Sequence, residues 1–366
     1  MPRLTSAVVK ARALELGFDL CGVAPVGAFP ELKFLADWLA RGYAGEMHYL
    51  ARNADRRADV RAVLPTARSV IVTATNYNTA WPYSTHESDP SRAQISRYAW
   101  GDDYHEVIKQ RLDALVEWMR AEHAVDASDE PFEARAYVDT GPVQERVYAQ
   151  YAGVGWIGKN TCVISGKRGS WLFLSEIICN LPLQPDPPAT DHCGTCTRCL
   201  DACPTGAIVE PWVLDSRGCL SYLTIELKGH LPEADRASLG THVYGCDICQ
   251  DVCPWNRAPL LTEEFAWQPR PGLDRSTLAA LWELSDDQLR ALLKGSPMKR
   301  AGVKRLRRNL AIAIANSGDP AAVAALQVSR TGAGWESLDD PLVREHVTWA
   351  LARCTPMHAP ASEPTD

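Results

Sequence analysis

The chemistry in this chain is concentrated in its cysteines, of which there are 12 in 366 residues. The run Cys193-Gly-Thr-Cys196-Thr-Arg-Cys199-Leu-Asp-Ala-Cys203-Pro204 has the C-x2-C-x2-C-x3-C-P spacing with which bacterial ferredoxins hold [4Fe–4S] clusters. A compact turn aims three thiolates at three irons of one cube, and the proline-terminated end carries the fourth sulfur toward a second cube. A shortened second run follows, Cys246-Asp-Ile-Cys249-Gln-Asp-Val-Cys253-Pro254. By the crossing rule Cys253 completes the set Cys193, Cys196 and Cys199, while Cys203 joins Cys246 and Cys249. The second set is then one ligand short, and Cys219, between the two runs, is the candidate. Structural zinc is the competing expectation, but it pairs two separated C-x2-C knuckles rather than three cysteines at successive x2 spacings. Two [4Fe–4S] clusters are therefore expected, and iron and sulfide analysis separates the cases. Cys21, Cys162, Cys179 and Cys354 lie in apolar stretches and are expected in the core.

Other polar motifs are more ambiguous. Asp139-Thr140-Gly141-Pro142 follows a predicted strand, and the same triplet marks aspartic proteases, but no second such turn supplies a partner aspartate. Asp139 is either an Asx-turn or helix N-cap residue, or a proton donor whose pKa is raised by burial beside a cofactor. Gly153-Val-Gly155-Trp156-Ile-Gly158-Lys159-Asn160-Thr161 is glycine-rich, yet its third glycine is misplaced for a dinucleotide fingerprint and it follows a helix rather than a strand. It suits a tight loop or a close approach to a bulky ligand. His105 could act as a ligand or general acid, although the Asp-x-His-x-x-Gly motif of cobalamin held by an axial histidine is absent. Residues 299–308 carry six basic side chains and no acid, in a chain of net charge −7. On a helix, Arg300, Lys304, Arg307 and Arg308 would lie opposite Val303, Leu306 and Leu310. That face is either merely solvated or a dock for a polyanion.

These residues need elements to position them. Apolar patterning predicts helices over Ser6–Leu16, Val107–His123 and Gln144–Ala152, and strands over 69–74, Phe132–Val138 and Trp171–Ile178. The result is a mixed α/β region up to about residue 185. The proline-rich stretch 181–188 reads as a linker, and a helical region begins near residue 261. One helix there stops at Asn316-Ser317-Gly318, and Asp319-Pro320 and Asp340-Pro341 each place an N-cap before a proline. The expected division is 1–185, 186–260 and 261–366. A composition of 46% hydrophobic and 23% charged residues excludes disorder and fibrous architecture. No apolar run approaches the roughly 18–20 residues of a membrane span. The N-terminus shows neither an apolar signal core nor twin arginines, so a cytoplasmic location is expected.

The motifs together resemble the epoxyqueuosine reductase family, whose members are cobalamin- and iron–sulfur-dependent and complete queuosine synthesis in tRNA. The resemblance runs from about residue 10 to the C-terminal helices. Its landmarks are Gly45-Glu46-Met47, Ser96-Arg97-Tyr98-Ala99-Trp100-Gly101 with Asp103-Tyr104-His105, Asp139-Thr140-Gly141-Pro142, Gly155 to Thr161, both cysteine runs and Cys219 to Glu226. It implies an N-terminal α/β cobalamin-binding domain like that of reductive dehalogenases, with no histidine below the cobalt. It further implies a two-cluster ferredoxin-like domain and a HEAT-like helical domain gripping the anticodon stem-loop of tRNA. Asp139 would be the catalytic proton donor. Tyr98, Tyr104, His105, Asp139, Arg146, Trp156, Lys159, Asn160, Ser221 and Asp247 would contact cobalamin. Lys228, Arg300, Lys304, Arg305, Arg307 and Arg308 would contact tRNA.

The activity implied is reduction of epoxyqueuosine to queuosine at the wobble position, with electrons from an external donor. A monomer is expected. A cobalamin-dependent reductive dehalogenase-like reductase would share the cofactors, but has no need of a basic helical tail. A plain ferredoxin-type carrier would not need about 185 residues ahead of its clusters.

Overall fold

A computed structural model describes residues 3–126, 130–273, 276–328 and 330–354. The chain divides into two compact units whose segments interleave. The first comprises Met1–His86, Ser96–Cys219 and Asp247–Arg270, and the second Glu87–Ile95, Leu220–Cys246 and Pro271–Asp366. Among the described residues, no helix is long and apolar enough to cross a membrane.

The first unit is built on α1 (Ser6–Glu15), β1 (Leu20–Pro25), β2 (Ser69–Asn76), α2 (Tyr104–Val125), β3 (Ala134–Tyr137), α3 (Glu145–Tyr151) and β4 (Leu172–Cys179). The strands form an antiparallel sheet in the order β1-β2-β4-β3, with Leu20 opposite Ala74, Ser69 opposite Cys179 and Ala134 opposite Cys179. Every residue of β2 is buried, because both faces of the sheet are covered. Successive strand residues point to opposite faces. Ile71 packs with Val9, Ala13, Leu112, Leu115 and Met119 from α1 and α2, while Val70 and Val72 pack with Val147, Tyr148 and Ala149 from α3. Covering both faces explains why the strand reads as a continuous apolar run instead of an alternation. Each fully buried aliphatic side chain here contributes roughly 1.5–3 kcal/mol.

The proline-rich stretch is not a free linker. Leu181 and Leu183 are buried, and the Ser69 hydroxyl donates to the Leu181 carbonyl at 2.7 Å while accepting the Leu183 N–H. Asp186 accepts from the Val23 N–H at 2.9 Å and pairs with Lys10. Proline content marked an irregular backbone correctly, but two leucines and an aspartate pin it to the sheet.

In the second unit, Gln94–Ile95 pairs in parallel with His242–Tyr244. Its helices include α4 (Leu278–Glu283), α5 (Asp286–Leu293), α6 (Gly302–Ser317), α7 (Pro320–Gln327) and α8 (Pro341–Cys354). The expected ends of α6 to α8 are present. Gly318 closes α6 at φ +66, a left-handed conformation that glycine adopts without a Cβ penalty. The Asp319 carboxylate accepts from the Ala321 and Ala322 N–H groups, and Asp340 accepts from that of Leu342.

The packing of α6 departs from the sequence expectation. Leu306, Leu310 and Ile314 are buried as the periodicity requires, but Arg307 and Arg308 on the supposed polar side, and Asn309 next to them, are fully buried too. Arg307 donates to the Trp282 and Leu284 carbonyls and pairs with Asp286 at 3.5 Å. Arg308 donates to the carbonyls of Leu223, Leu227 and Gly229. Neither guanidinium can reach RNA from this position, which corrects the expectation for both. Backbone acceptors compensate the burial of charge, and a charge pattern alone does not reveal them.

Candidate active site and metal centre

Asp139 follows β3 in a loop whose shape is dictated by close packing. A Cβ on Gly141 would come within 2.5 Å of the Tyr137 side chain, so only glycine fits there. Asp139 itself has φ +58, a region that aspartate tolerates better than most residues. It is not the N-cap of α3: that position is Gln144, with no side-chain cap bond. The Asp139 side chain is 41% exposed, so the burial expected of a donor beside a cofactor is not supplied by the protein alone.

Two residues of α2 reach this carboxylate. The Tyr104 hydroxyl donates to Asp139 Oδ2 at 3.0 Å, and His105 Nε2 lies 3.4 Å from the same oxygen. The opposite ring nitrogen, Nδ1, meets Asp103 Oδ1 at 2.8 Å. Asp103 is also the N-cap of α2, accepting the His105 N–H, so helix start and imidazole are fixed by one buried carboxylate. Partial burial works against a charged imidazole, but the hydrogen bonds to Asp103 and then Asp139 outweigh it and raise His105 to about 9. Tyr104 stacks on His105 at 4.1 Å and on Phe173 at 4.4 Å between ring centroids, and meets Tyr98 edge-on at 6.1 Å.

Sequence reasoning overlooked two further carboxylates beside this group. Burial, and after it the charge of Asp139, push Glu145 up to about 8. Glu176, in the middle of β4 opposite Val72 and Tyr137, is raised well above the carboxylate range by burial and then by Glu145 and Asp139. A glutamate inside an apolar strand pattern was the available signal.

The cysteines of the first set line one cavity of about 310 Å³. Cys193, Cys196, Cys199 and Cys253 face it together with Ile164, His192, Pro254 and Trp255. Three residues expected at the corrin stand beside these cysteine runs. The Lys159 ammonium donates to the Gly194 carbonyl at 2.6 Å and to that of Cys196 at 3.0 Å. Asn160 donates to the Cys249 carbonyl at 3.2 Å and accepts the Cys162 N–H. Trp156 packs edge-on against His192 and Trp255. The glycine-rich stretch is a tight loop: a Cβ on Gly155 would meet the Ile164 carbonyl oxygen at 2.4 Å. Among the expected core cysteines Cys179 is buried, Cys21 and Cys354 are half-buried, and the Cys162 thiol meets that of Cys249.

Arg146 is exposed and donates to the Thr161 carbonyl. Asp247 is buried, accepts from the Ser96 hydroxyl and the Arg97 N–H, and is raised to about 6 by burial and the neighbouring Asp251. The Arg97 guanidinium donates to the Thr79, Trp81 and Pro82 carbonyls and lies over the Trp100 and Trp171 rings. Cys203, Cys219 and Cys249 belong to the first unit; Cys246 ends a segment of the second, which also contains Ser221.

Residues 57–140 match the family model described as Epoxyqueuosine reductase QueG, DUF1730, and residues 192–256 match the 4Fe-4S double cluster binding domain. An epoxyqueuosine reductase of Xanthomonas campestris pv. campestris is 41% identical over 358 residues, covering 96% of this chain and 97% of the relative. The chain belongs to the epoxyqueuosine reductase family. The Escherichia coli K12 epoxyqueuosine reductase is 39% identical over 347 residues, covering 94% of this chain and 88% of its own. A crystal structure of an epoxyqueuosine reductase with an epoxyqueuosine-modified tRNA stem loop superposes with a TM-score of 0.83 at 30% identity, covering 94% of this chain and 89% of that one. A Bacillus subtilis epoxyqueuosine reductase whose catalytic aspartate loop is swung out of the active site gives 0.78 at 28% identity, with the same coverage. As an epoxyqueuosine reductase family member, the chain is an oxidoreductase with a double [4Fe–4S] cluster domain.

Proposed function

We propose that this protein reduces epoxyqueuosine to queuosine at the wobble position of tRNA, with Asp139 as the proton donor. The observation that carries the residue assignment is the exposed Asp139 carboxylate, held in a left-handed turn and contacted by Tyr104 and His105. An aspartate on a catalytic loop in the Bacillus subtilis relative supports it. Converting an epoxide to an alkene and water consumes two electrons and two protons. Cys193, Cys196, Cys199 and Cys253 would hold one [4Fe–4S] cluster and Cys203, Cys219, Cys246 and Cys249 the other. Bound cobalamin and the clusters would supply the two electrons, drawn from an external donor.

The residues around Asp139 would border a bound cobalamin, and His105 would not serve as a metal ligand. Both ring nitrogens of His105 face carboxylates, and an imidazole raised to about 9 is cationic at neutral pH and has no lone pair for cobalt. Tyr98, Tyr104 and Arg146 stand beside Asp139's loop or on the adjoining elements and would border the corrin. Asp139 delivers a proton to the epoxide oxygen as negative charge develops there. Tyr104 and His105 keep its carboxylate aimed, and the His105 cation, beside Asp139, offsets charge that accumulates during the reaction.

For tRNA, Lys228, Arg300 and Lys304 are exposed, with Arg300 pairing Glu226 and Lys304 pairing Asp340. They support contact with the anticodon stem-loop, as the stem-loop complex of the relative suggests. The helices α4 to α8 would form the HEAT-like element, and the protein would act as a cytoplasmic monomer. Nucleoside mass spectrometry of tRNA from a deletion strain tests the reading. Wild-type chain should restore queuosine, and Asp139→Asn should leave epoxyqueuosine accumulated. Restoration by Asp139→Asn removes Asp139 from the chemistry, and failure by the wild type rejects the activity.

A further inference from the structure

Three polar residues of α6, Arg305, Arg308 and Asn309, share a target in the segment of residues 223–229. Cys219 is followed by residues Tyr222–Glu226, a single π-helical turn closed by the Leu227 N–H on the Tyr222 carbonyl at 2.9 Å. A single turn leaves the carbonyls that follow without helical partners, and buried carbonyls need donors. Side chains of α6 provide them. Arg308 donates to the carbonyls of Leu223 at 2.6 Å, Gly229 at 2.7 Å and Leu227 at 2.9 Å. Arg305 donates to that of Ile225. Asn309 Nδ2 donates to the Thr224 carbonyl at 2.9 Å and to the Val243 carbonyl, also at 2.9 Å. Its own Oδ1 accepts from Arg308 Nε at 3.0 Å, which fixes the amide orientation.

Asn309 thereby ties two arms of chain together: the one that starts at Cys219 and the one that ends at Cys246. Thr224 makes a second tie. Its hydroxyl donates to the Leu220 carbonyl at 2.7 Å and accepts the Gly245 N–H at 2.9 Å, directly before Cys246.

We infer that Arg305, Arg308 and Asn309 are positioning residues that fix the segment of residues 220–229 against that of residues 243–246 and so set Cys246 as a ligand of the second cluster. This rests on the proposed ligand sets. The basic segment thus does two jobs: its exposed Arg300 and Lys304 face solvent, and its buried residues shape a metal site. A cluster's potential follows the placement of its thiolates and the hydrogen bonds around them, so a loosened arm alters the cluster and not merely the fold.

The test uses the full chain, purified anaerobically, in four variants. Arg308→Met and Asn309→Leu remove the clamp, and Arg308→Lys weakens it. Arg307→Met is the control, because Arg307 is equally buried on the same helix but donates to the Trp282 and Leu284 carbonyls instead. Iron and sulfide content, EPR of the reduced protein, cluster potentials and thermal melting are measured for each. Arg308→Met and Asn309→Leu should lose about half of the iron, or keep it with a changed EPR signal and potential for one cluster only. Arg308→Lys should show a smaller change in the same signal. Arg307→Met should melt earlier yet retain both wild-type signals. Wild-type spectra and potentials in Arg308→Met and Asn309→Leu overturn the inference, as does equal loss of one cluster in Arg307→Met. A wild-type chain that carries one cluster or none overturns the ligand reading and the clamp with it.

Discussion

Replacing Asp103 by Asn removes a charge while keeping an oxygen to cap α2, and so isolates what the carboxylate does for His105. The imidazole is raised from 6.5 to about 9 in the folded protein. A group whose pKa is raised on folding contributes stability that is fully present below its unfolded value and is lost as pH rises through the folded one. His105 therefore stabilises the fold below pH 6.5, and that contribution disappears between 6.5 and about 9. The whole interval is worth roughly 3 kcal/mol. Asp103, at 2.8 Å and nearly buried, carries more of it than Asp139, at 3.4 Å and half exposed. Asp103→Asn should accordingly cost about 2 kcal/mol at pH 6 and close to nothing at pH 10. Urea denaturation of both proteins at intervals across that range measures the difference, and NMR of the His105 ring gives its titration directly. A stability difference that does not change with pH, or a wild-type His105 titrating near 6.5, refutes the reasoning.

Three further outcomes follow from the geometry. Lys159→Met should release the Gly194 and Cys196 carbonyls and make the first cluster more labile, seen as faster bleaching in air with tRNA binding unchanged. Arg300→Ala with Lys304→Ala should reduce the salt slope of tRNA affinity by up to about 2, while Arg307→Met leaves it unaltered. Arg97→Met should destabilise the first unit by roughly 3–5 kcal/mol in chemical denaturation, because three carbonyls lose a buried donor and Asp247 loses a cation.

The cysteine runs were legible because ligand spacing is local chemistry, and Cys253 lines the same cavity as Cys193, Cys196 and Cys199, some fifty residues earlier. Helix ends at Gly318, Asp319 and Asp340 were legible for the same reason: caps are read from adjacent residues. What depended on distant partners was not. The sheet order β1-β2-β4-β3 pairs β2 with β4, about a hundred residues apart, and nothing in either strand names the other. Arg307 and Arg308 share the charge of Arg300 and Lys304, yet differ in having backbone acceptors beneath them. Lys159 and Asn160 were legible as part of a glycine-rich motif, but their partners in the cysteine runs appear only once the chain is folded.

The interleaving of the two units has a consequence for how the protein is made. Cys193, Cys196 and Cys199 leave the ribosome well before Cys253, and the intervening 220–246 segment belongs to the other unit. At about 5–20 residues per second, several seconds separate the third cysteine from the fourth. Until then the thiols of the first run stand without their fourth wall. With Cys253 as the proposed fourth ligand, iron would load late in the life of the chain, and a nascent or truncated product ending before Cys253 would present three adjacent thiols open to oxidation.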